Sequence, residues 1–224
     1  MRVHHLNNGS MGPYLDPNAF VDSDHAQVVA YAHQHGSPGA DPIQNAVSLY
    51  YAVRDGFRYN PWDVKLRPED FKASAMLRRD TDQGGHCIDK ANVLAACARV
   101  LGIPSRLHFA NVRNHIGTEE LERKLGTDLL VFHGYVELHL NGDWVAATPA
   151  FNKELCAHLG VAPLEFDGHQ DSIFQEYDAK GGRFMEYVHD YGVFSEIPFD
   201  LMIGEWRRFY PGFMADGRWP GRGG

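Results

Sequence analysis

Gly84-Gly-His-Cys87-Ile-Asp-Lys-Ala-Asn-Val-Leu-Ala-Ala-Cys97-Ala-Arg-Val-Leu-Gly102-Ile-Pro-Ser-Arg106 is the stretch whose reading decides the fold. Two glycines feed a helix whose opening residue is Cys87. A thiol there lies beside unpaired backbone N–H groups and the positive end of the helix dipole, a placement that lowers its pKa. Ala91, Leu94, Ala95, Ala98 and Leu101 recur at the spacing of one helical face, and the small alanines let that face approach a sheet closely. Gly102 ends the helix and Pro104 prevents its return. From Arg106 to Arg113, Leu107, Phe109 and Val112 stand among polar residues, which predicts a strand.

Gly85, Cys87, Asp89, Lys90 and Ala91, followed by Gly102, Ile103, Pro104 and Arg106, form one joined pattern that resembles the transglutaminase-like superfamily of cysteine-histidine-aspartate enzymes. Val53-Arg-Asp-Gly-Phe-Arg-Tyr59 resembles the segment that precedes the active site there. The resemblance covers about residues 41–152. It implies an α+β fold, papain-like in layout, with the nucleophile helix packed on an antiparallel sheet. It also implies acyl transfer through a thioester on Cys87, without a cofactor, on a peptide, a protein or a small amide. Hydrolysis of an amide or peptide bond is the preferred reaction, and a transglutaminase-type transfer to an amine is its variant.

A cysteine nucleophile needs a base and a group that orients the base. Leu129 to Leu140 reads as a strand, and Asn141-Gly142 turns it into a second strand through Trp144. His133 opens the run His-Gly-Tyr-Val-Glu, similar to the family's His-x-x-x-Glu strand. Alternation puts His133, Tyr135, Glu137 and His139 on one face, with Phe132, Val136, Leu138 and Leu140 on the other.

The family expects an aspartate followed by proline past the histidine. Here Thr148 and Pro149 stand at that place, fifteen residues on (148 − 133 = 15). A threonine hydroxyl can accept a hydrogen bond from the imidazole and fix its tautomer, but it cannot stabilise an imidazolium by charge. Thr148 or Asn152 serves as a neutral orienter, a carboxylate such as Glu137 or Asp167 moves in, or the triad is degraded. The first reading is preferred. For the oxyanion, the backbone N–H of Cys87 is the natural donor, with the Gln83 side chain as its partner. His86 adjoins Cys87 without facing it along a helix, and Cys97 and Cys156 read as packing thiols.

With 224 residues, 44% of them hydrophobic, the chain can bury a sizeable core, and one domain with appendages is expected. Twenty-nine acidic against twenty-one basic side chains give a net charge of −8, which disfavours nucleic acid or an anionic membrane as partner. The opening residues lack the apolar run of a signal peptide and no later stretch has the length of a membrane span. Cys97 is too far along the helix from Cys87 to bridge it, and free thiols fit a reducing, cytoplasmic setting. Thirteen histidines raise the question of metal. His133 and His139 lie about 20 Å apart along an extended strand, too far to share an ion, and no metal site is assigned.

Residues 1–20 read as an irregular arm or short edge strand. Helices are expected over 25–34, capped by Ser23 or Asp24, and over 42–56, capped by Asp41. Shorter ones fall at 68–79 and 118–125. A helical extension over about 153–212 follows: to Gly160 from an Asn152 cap, around 171–191, and around 199–209, before a disordered tail at 213–224. The rival reading of the whole chain is a catalytically silent module that binds a peptide in the same cleft. Thr148 favours it, and the intact Cys87 and His133 oppose it.

Overall fold

The computed structural model describes residues 10–64, 66–114, 119–173 and 185–210. In chain order the elements are α1 (Gly12–Leu15), α2 (Ala26–His35), α3 (Pro42–Gly56), a 3-10 turn (Pro68–Phe71), α4 (Ala73–Leu77), α5 (Cys87–Val100) and β1 (Ser105–Asn114). Then come α6 (Glu119–Leu125), β2 (Leu129–Leu140), β3 (Asp143–Ala147), α7 (Lys153–Leu159), β4 (Met185–Phe194) and α8 (Phe199–Phe209). The strands form one antiparallel sheet in the order β3-β2-β1-β4. Helix and antiparallel sheet thus combine as the α+β reading requires.

α5 is the axis of the molecule. Every residue from Ile88 to Arg99 is buried, the mark of a helix packed all round rather than along one stripe. α2, α3 and α4 cover its other sides, and β2 and β1 lie against it. Its contact with β2 is made at backbone range, since a Cβ added to Gly134 would sit 3.2 Å from the Ile88 Cα. Only a glycine there lets the strand close on the first turn of α5.

Lys90, with none of its surface exposed, donates to the carbonyls of Arg54 at 2.8 Å, Phe57 at 2.8 Å and Ala150 at 2.7 Å. It ties α5 to the end of α3 and to the loop that follows β3. Burial pulls its pKa down to about 7, while three carbonyls accept its three ammonium protons. Arg99 likewise binds the carbonyls of Asp16, Ser105 and Ser195, stapling the arm before α2 and the end of β4 to α5.

Asp41 caps α3 as expected, its carboxylate accepting from the Ile43 N–H. The Asn141-Gly142 turn has φ of 51° and 95°, the left-handed pair that joins right-twisted strands. α2 is capped by His25 rather than by Ser23 or Asp24, through Nδ1 accepting from the Gln27 N–H. The short edge strand considered before residue 20 is instead the single turn α1, and residues 1–9 lie outside the described residues.

The largest correction concerns the C-terminal extension. α7 and α8 match the extents of their expected helices, with Asn152 at the N-cap position of α7 but its side chain making no cap hydrogen bond, and 185–194 is a strand and not the end of a helix over 171–191. Tyr187, Val188, Tyr191, Val193 and Phe194 suit a pleated surface. The open edge of β1 supplies backbone partners that an isolated helix would not use. Residues 174–184 of that expectation, and the expected tail at 213–224, lie outside the described residues. Among the described residues no helix is long and apolar enough to cross a membrane.

Candidate active site

Cys87 reaches its position through the turn before it. Gly84 has φ of 59°, and a Cβ there would collide with the carbonyl oxygen of Arg58. The Gly85 N–H binds that same carbonyl at 3.0 Å, and the Asn60 N–H binds the Gly85 carbonyl at 3.0 Å. His86 is the helix cap. Its Nδ1 accepts from the N–H groups of Ile88 at 3.2 Å and Asp89 at 3.4 Å, and Asp89 accepts in return from the His86 N–H at 3.3 Å. This is a capping box with an imidazole where a hydroxyl usually stands. Asp89 is further held by Arg79 at 2.7 Å. The capping or salt-bridge role that the sequence suggests for Asp89 is met on both counts, while the part of His86 in the cap was passed over.

The helix N-terminus does not lower the thiol. Burial pushes the Cys87 thiol up to about 11, against the N–H groups of Gly134, Ile88 and Cys87 itself, which favour the thiolate. Desolvation among the mainly apolar side chains around the cavity outweighs the dipole, although the residue as a whole is only half-buried.

His133 is presented by a bulge in β2. Ala110 pairs with His133 and Val112 with Leu130, so one residue of β1 faces two of β2. Phe132 takes φ of 65°. The alternation expected for this strand is therefore broken. Leu130, Val131, Phe132 and His133 all line the one cavity that Cys87 lines, which four successive residues of a regular strand cannot do. Tyr135 and Glu137 keep to the sheet's far face, where Glu137 binds Arg106 at 2.7 Å and His108 at 2.6 Å.

The bulge frees backbone groups, and each finds a partner. The Phe132 N–H donates to Asn111 Oδ1 at 3.0 Å, and Asn111 Nδ2 donates to the Tyr191 hydroxyl at 3.0 Å. From α8, Trp206 Nε1 donates to the Val131 carbonyl at 2.9 Å. The Tyr210 hydroxyl accepts from the Val131 N–H at 2.6 Å and donates to the Leu129 carbonyl at 2.9 Å. The sequence analysis singled out none of Asn111, Trp206 and Tyr210. The bulge gave no signal before the pairing was known.

His133 is buried, neither ring nitrogen has a hydrogen-bond partner among the described residues, and burial brings its pKa down to about 4. It also lines a second cavity, of about 10 Å³, with Thr148, Ala150, Leu164 and others. That is roughly the room of a single water. The Thr148 hydroxyl is buried there and also lacks a hydrogen-bond partner, while its backbone is held by Ser172 and Tyr50. His133 thus lines both the cavity that Cys87 lines and the cavity that Thr148 lines.

The remaining candidates are not brought to the imidazole. The amide of Asn152 accepts from the Tyr59 N–H at 3.0 Å and donates to Glu154 at 2.7 Å. Gln83 is exposed and turns back to accept from the Asp80 N–H at 3.3 Å. Asp167 is exposed in a turn of its own, accepting from the N–H groups of His169 and Gln170. Glu137 is occupied as described above. Among the described residues, no three histidine, cysteine or acidic side chains are grouped to hold a metal ion.

A helix opening on Cys87, a sheet carrying His133 and a cavity lined by both have the layout of a cysteine-based acyl-transfer family. A family model described as the transglutaminase-like superfamily matches residues 16–149, more than half of the chain. The chain belongs to that superfamily. No curated protein matches. Among solved structures, a candidate cysteine protease from Cytophaga hutchinsonii is similar at 17% identity and a TM-score of 0.47, over 84% of this chain and 55% of that one. An arylamine N-acetyltransferase from Mycobacterium abscessus is similar at 14% identity and a TM-score of 0.41, over 61% of this chain and 46% of that one. The chain spans about half the length of each.

Proposed function

We propose that the chain is a cysteine-dependent acyl-transfer enzyme that cleaves amide or peptide bonds through a thioester on Cys87, with water as the first-choice acceptor and an amine as its variant. The observation that carries this reading is the cavity that Cys87 and His133 both line, with Thr148 and His133 sharing a second one. In this reading Thr148 occupies the family's aspartate position as a neutral orienter. The three cysteines are free, which supports a reducing, cytoplasmic setting.

At neutral pH the pair rests as thiol and imidazole, because burial raises one pKa and lowers the other. The proton therefore leaves Sγ for His133 as the sulfur attacks the carbonyl carbon, in general-base fashion. The S–C bond forms, the tetrahedral oxygen collects the charge beside the Cys87 N–H, and the imidazolium passes its proton to the departing amine as the C–N bond breaks. Water then attacks the thioester, giving its proton to His133 and releasing acid and thiol. No hydrogen bond joins Sγ to the imidazole; such contacts tighten when substrate is bound.

The test is intact-protein and peptide mass spectrometry after exposure to an activated acyl ester. We expect one acyl group on Cys87, none in Cys87→Ala, and a rate reduced roughly 100-fold or more in His133→Ala. An unmodified Cys87 would favour the silent binding module, which the neutral thiol–imidazole pair already supports.

A further inference from the structure

Resting on the acyl-transfer reading, we infer that the Cys87 cavity is an acyl pocket for short, uncharged, apolar acyl groups, and that Trp206 of α8 and Tyr210 at its C-cap set its length limit. The cavity has a volume of about 50 Å³. At roughly 10–15 Å³ for each water-sized centre, it holds about four non-hydrogen atoms. Its walls are Tyr59, Val64, Leu130, Phe132, Trp206 and Tyr210 with their neighbours; apart from the imidazoles of His86 and His133, which burial favours in the neutral form, no acidic, basic or carboxamide side chain lines it among the described residues. A charged acyl chain would lose its hydration there without a partner.

The same reasoning sets a polypeptide acyl group aside. Its backbone amides need hydrogen-bond partners once buried. The polar atoms that α8 brings to this wall are already engaged, Trp206 Nε1 with the Val131 carbonyl and the Tyr210 hydroxyl with Leu129 and Val131. Both rings are buried, at 3% and 1% exposure. These bonds go to the backbone of β2 next to His133, so the wall is fastened to the strand that carries the base. The substrate class is a small-molecule amide, ester or thioester whose acyl part carries about two to four carbons. The leaving group is left to the open side.

The experiment is a rate series for Cys87 acylation in the full chain, using nitrophenyl acetate, butyrate, octanoate and hemisuccinate and a peptide thioester. Acetyl and butyryl transfer should exceed octanoyl, succinyl and peptidyl transfer by roughly 10-fold or more, the scale on which a pocket discriminates a few methylenes. Trp206→Leu should raise the octanoyl-to-acetyl ratio by a similar factor. Val64→Ala, on another wall, should raise it without touching α8. Because the readout is a ratio within one protein, partial unfolding does not imitate it. Equal rates for acetyl and octanoyl or peptidyl groups overturn the pocket and leave acyl transfer standing, with α8 then a movable cover. No acylation of Cys87 by any member overturns both readings.

Discussion

At the scale of single residues, the site is set by what stands next to His133. A carboxylate behind an imidazole stabilises the imidazolium of a thiolate ion pair by charge; a hydroxyl behind it can orient the ring but adds no charge. Thr148→Asp should therefore restore a charge partner and lower the apparent pKa of Cys87 by at least about one unit from its wild-type value near 11. The measurement is the pH dependence of iodoacetamide alkylation at Cys87. An unchanged profile would mean that position 148 does not address the imidazole. Cys87, His133 and Thr148 were legible because each sits inside a local pattern: a glycine turn opening a helix, a strand, and a residue before proline after a hairpin. Asn152 and Gln83 were not, since what a loop amide binds depends on distant partners such as the Tyr59 N–H. The thiol's pKa was misread for a related reason: a helix terminus is visible in sequence, while the apolar walls around it come from five separate segments of chain.

At the scale of elements, the glycine turn, α5, the tight turn and β1 could be read directly, since apolar spacing, Gly102 and Pro104 all pointed the same way. What could not be read was the break in alternation at Phe132, because a bulge is a property of two strands in register. Nor could β4 be read, whose strand form depends on the edge it completes. Lys90 shows how an element is placed by a single side chain. A methionine there would leave the carbonyls of Arg54, Phe57 and Ala150 buried without donors. Lys90→Met should cost at least about 3 kcal/mol in urea unfolding. It should also slow Cys87 acylation under native conditions, because Ala150 lies two residues from Thr148.

At the scale of the whole molecule, the buried histidines give stability a pH dependence with a defined sign. His133, brought down to about 4, and His86, also lowered, refuse protons that the unfolded chain accepts near pH 6.5. Their contribution is complete above that value and is lost as pH falls toward 4. His108 acts oppositely: burial lowers it, but Glu137 and Asp190 outweigh burial and raise it, so its contribution holds at low pH and fades as pH rises through the raised value. Urea unfolding between pH 6.5 and 5 should show His133→Gln losing about 1–2 kcal/mol less than wild type. Equal losses would mean that His133 is not held neutral in the fold. The sheet has a further consequence at this scale. β4 is the last strand in the order, and its pairing with β1 shifts register twice, between Phe109 and Ala110 and between Asn111 and Val112. Bulges of this kind coil a rim away from the flat ribbon on which strands stack. Copies of the chain held at high concentration should therefore resist fibril growth from this rim.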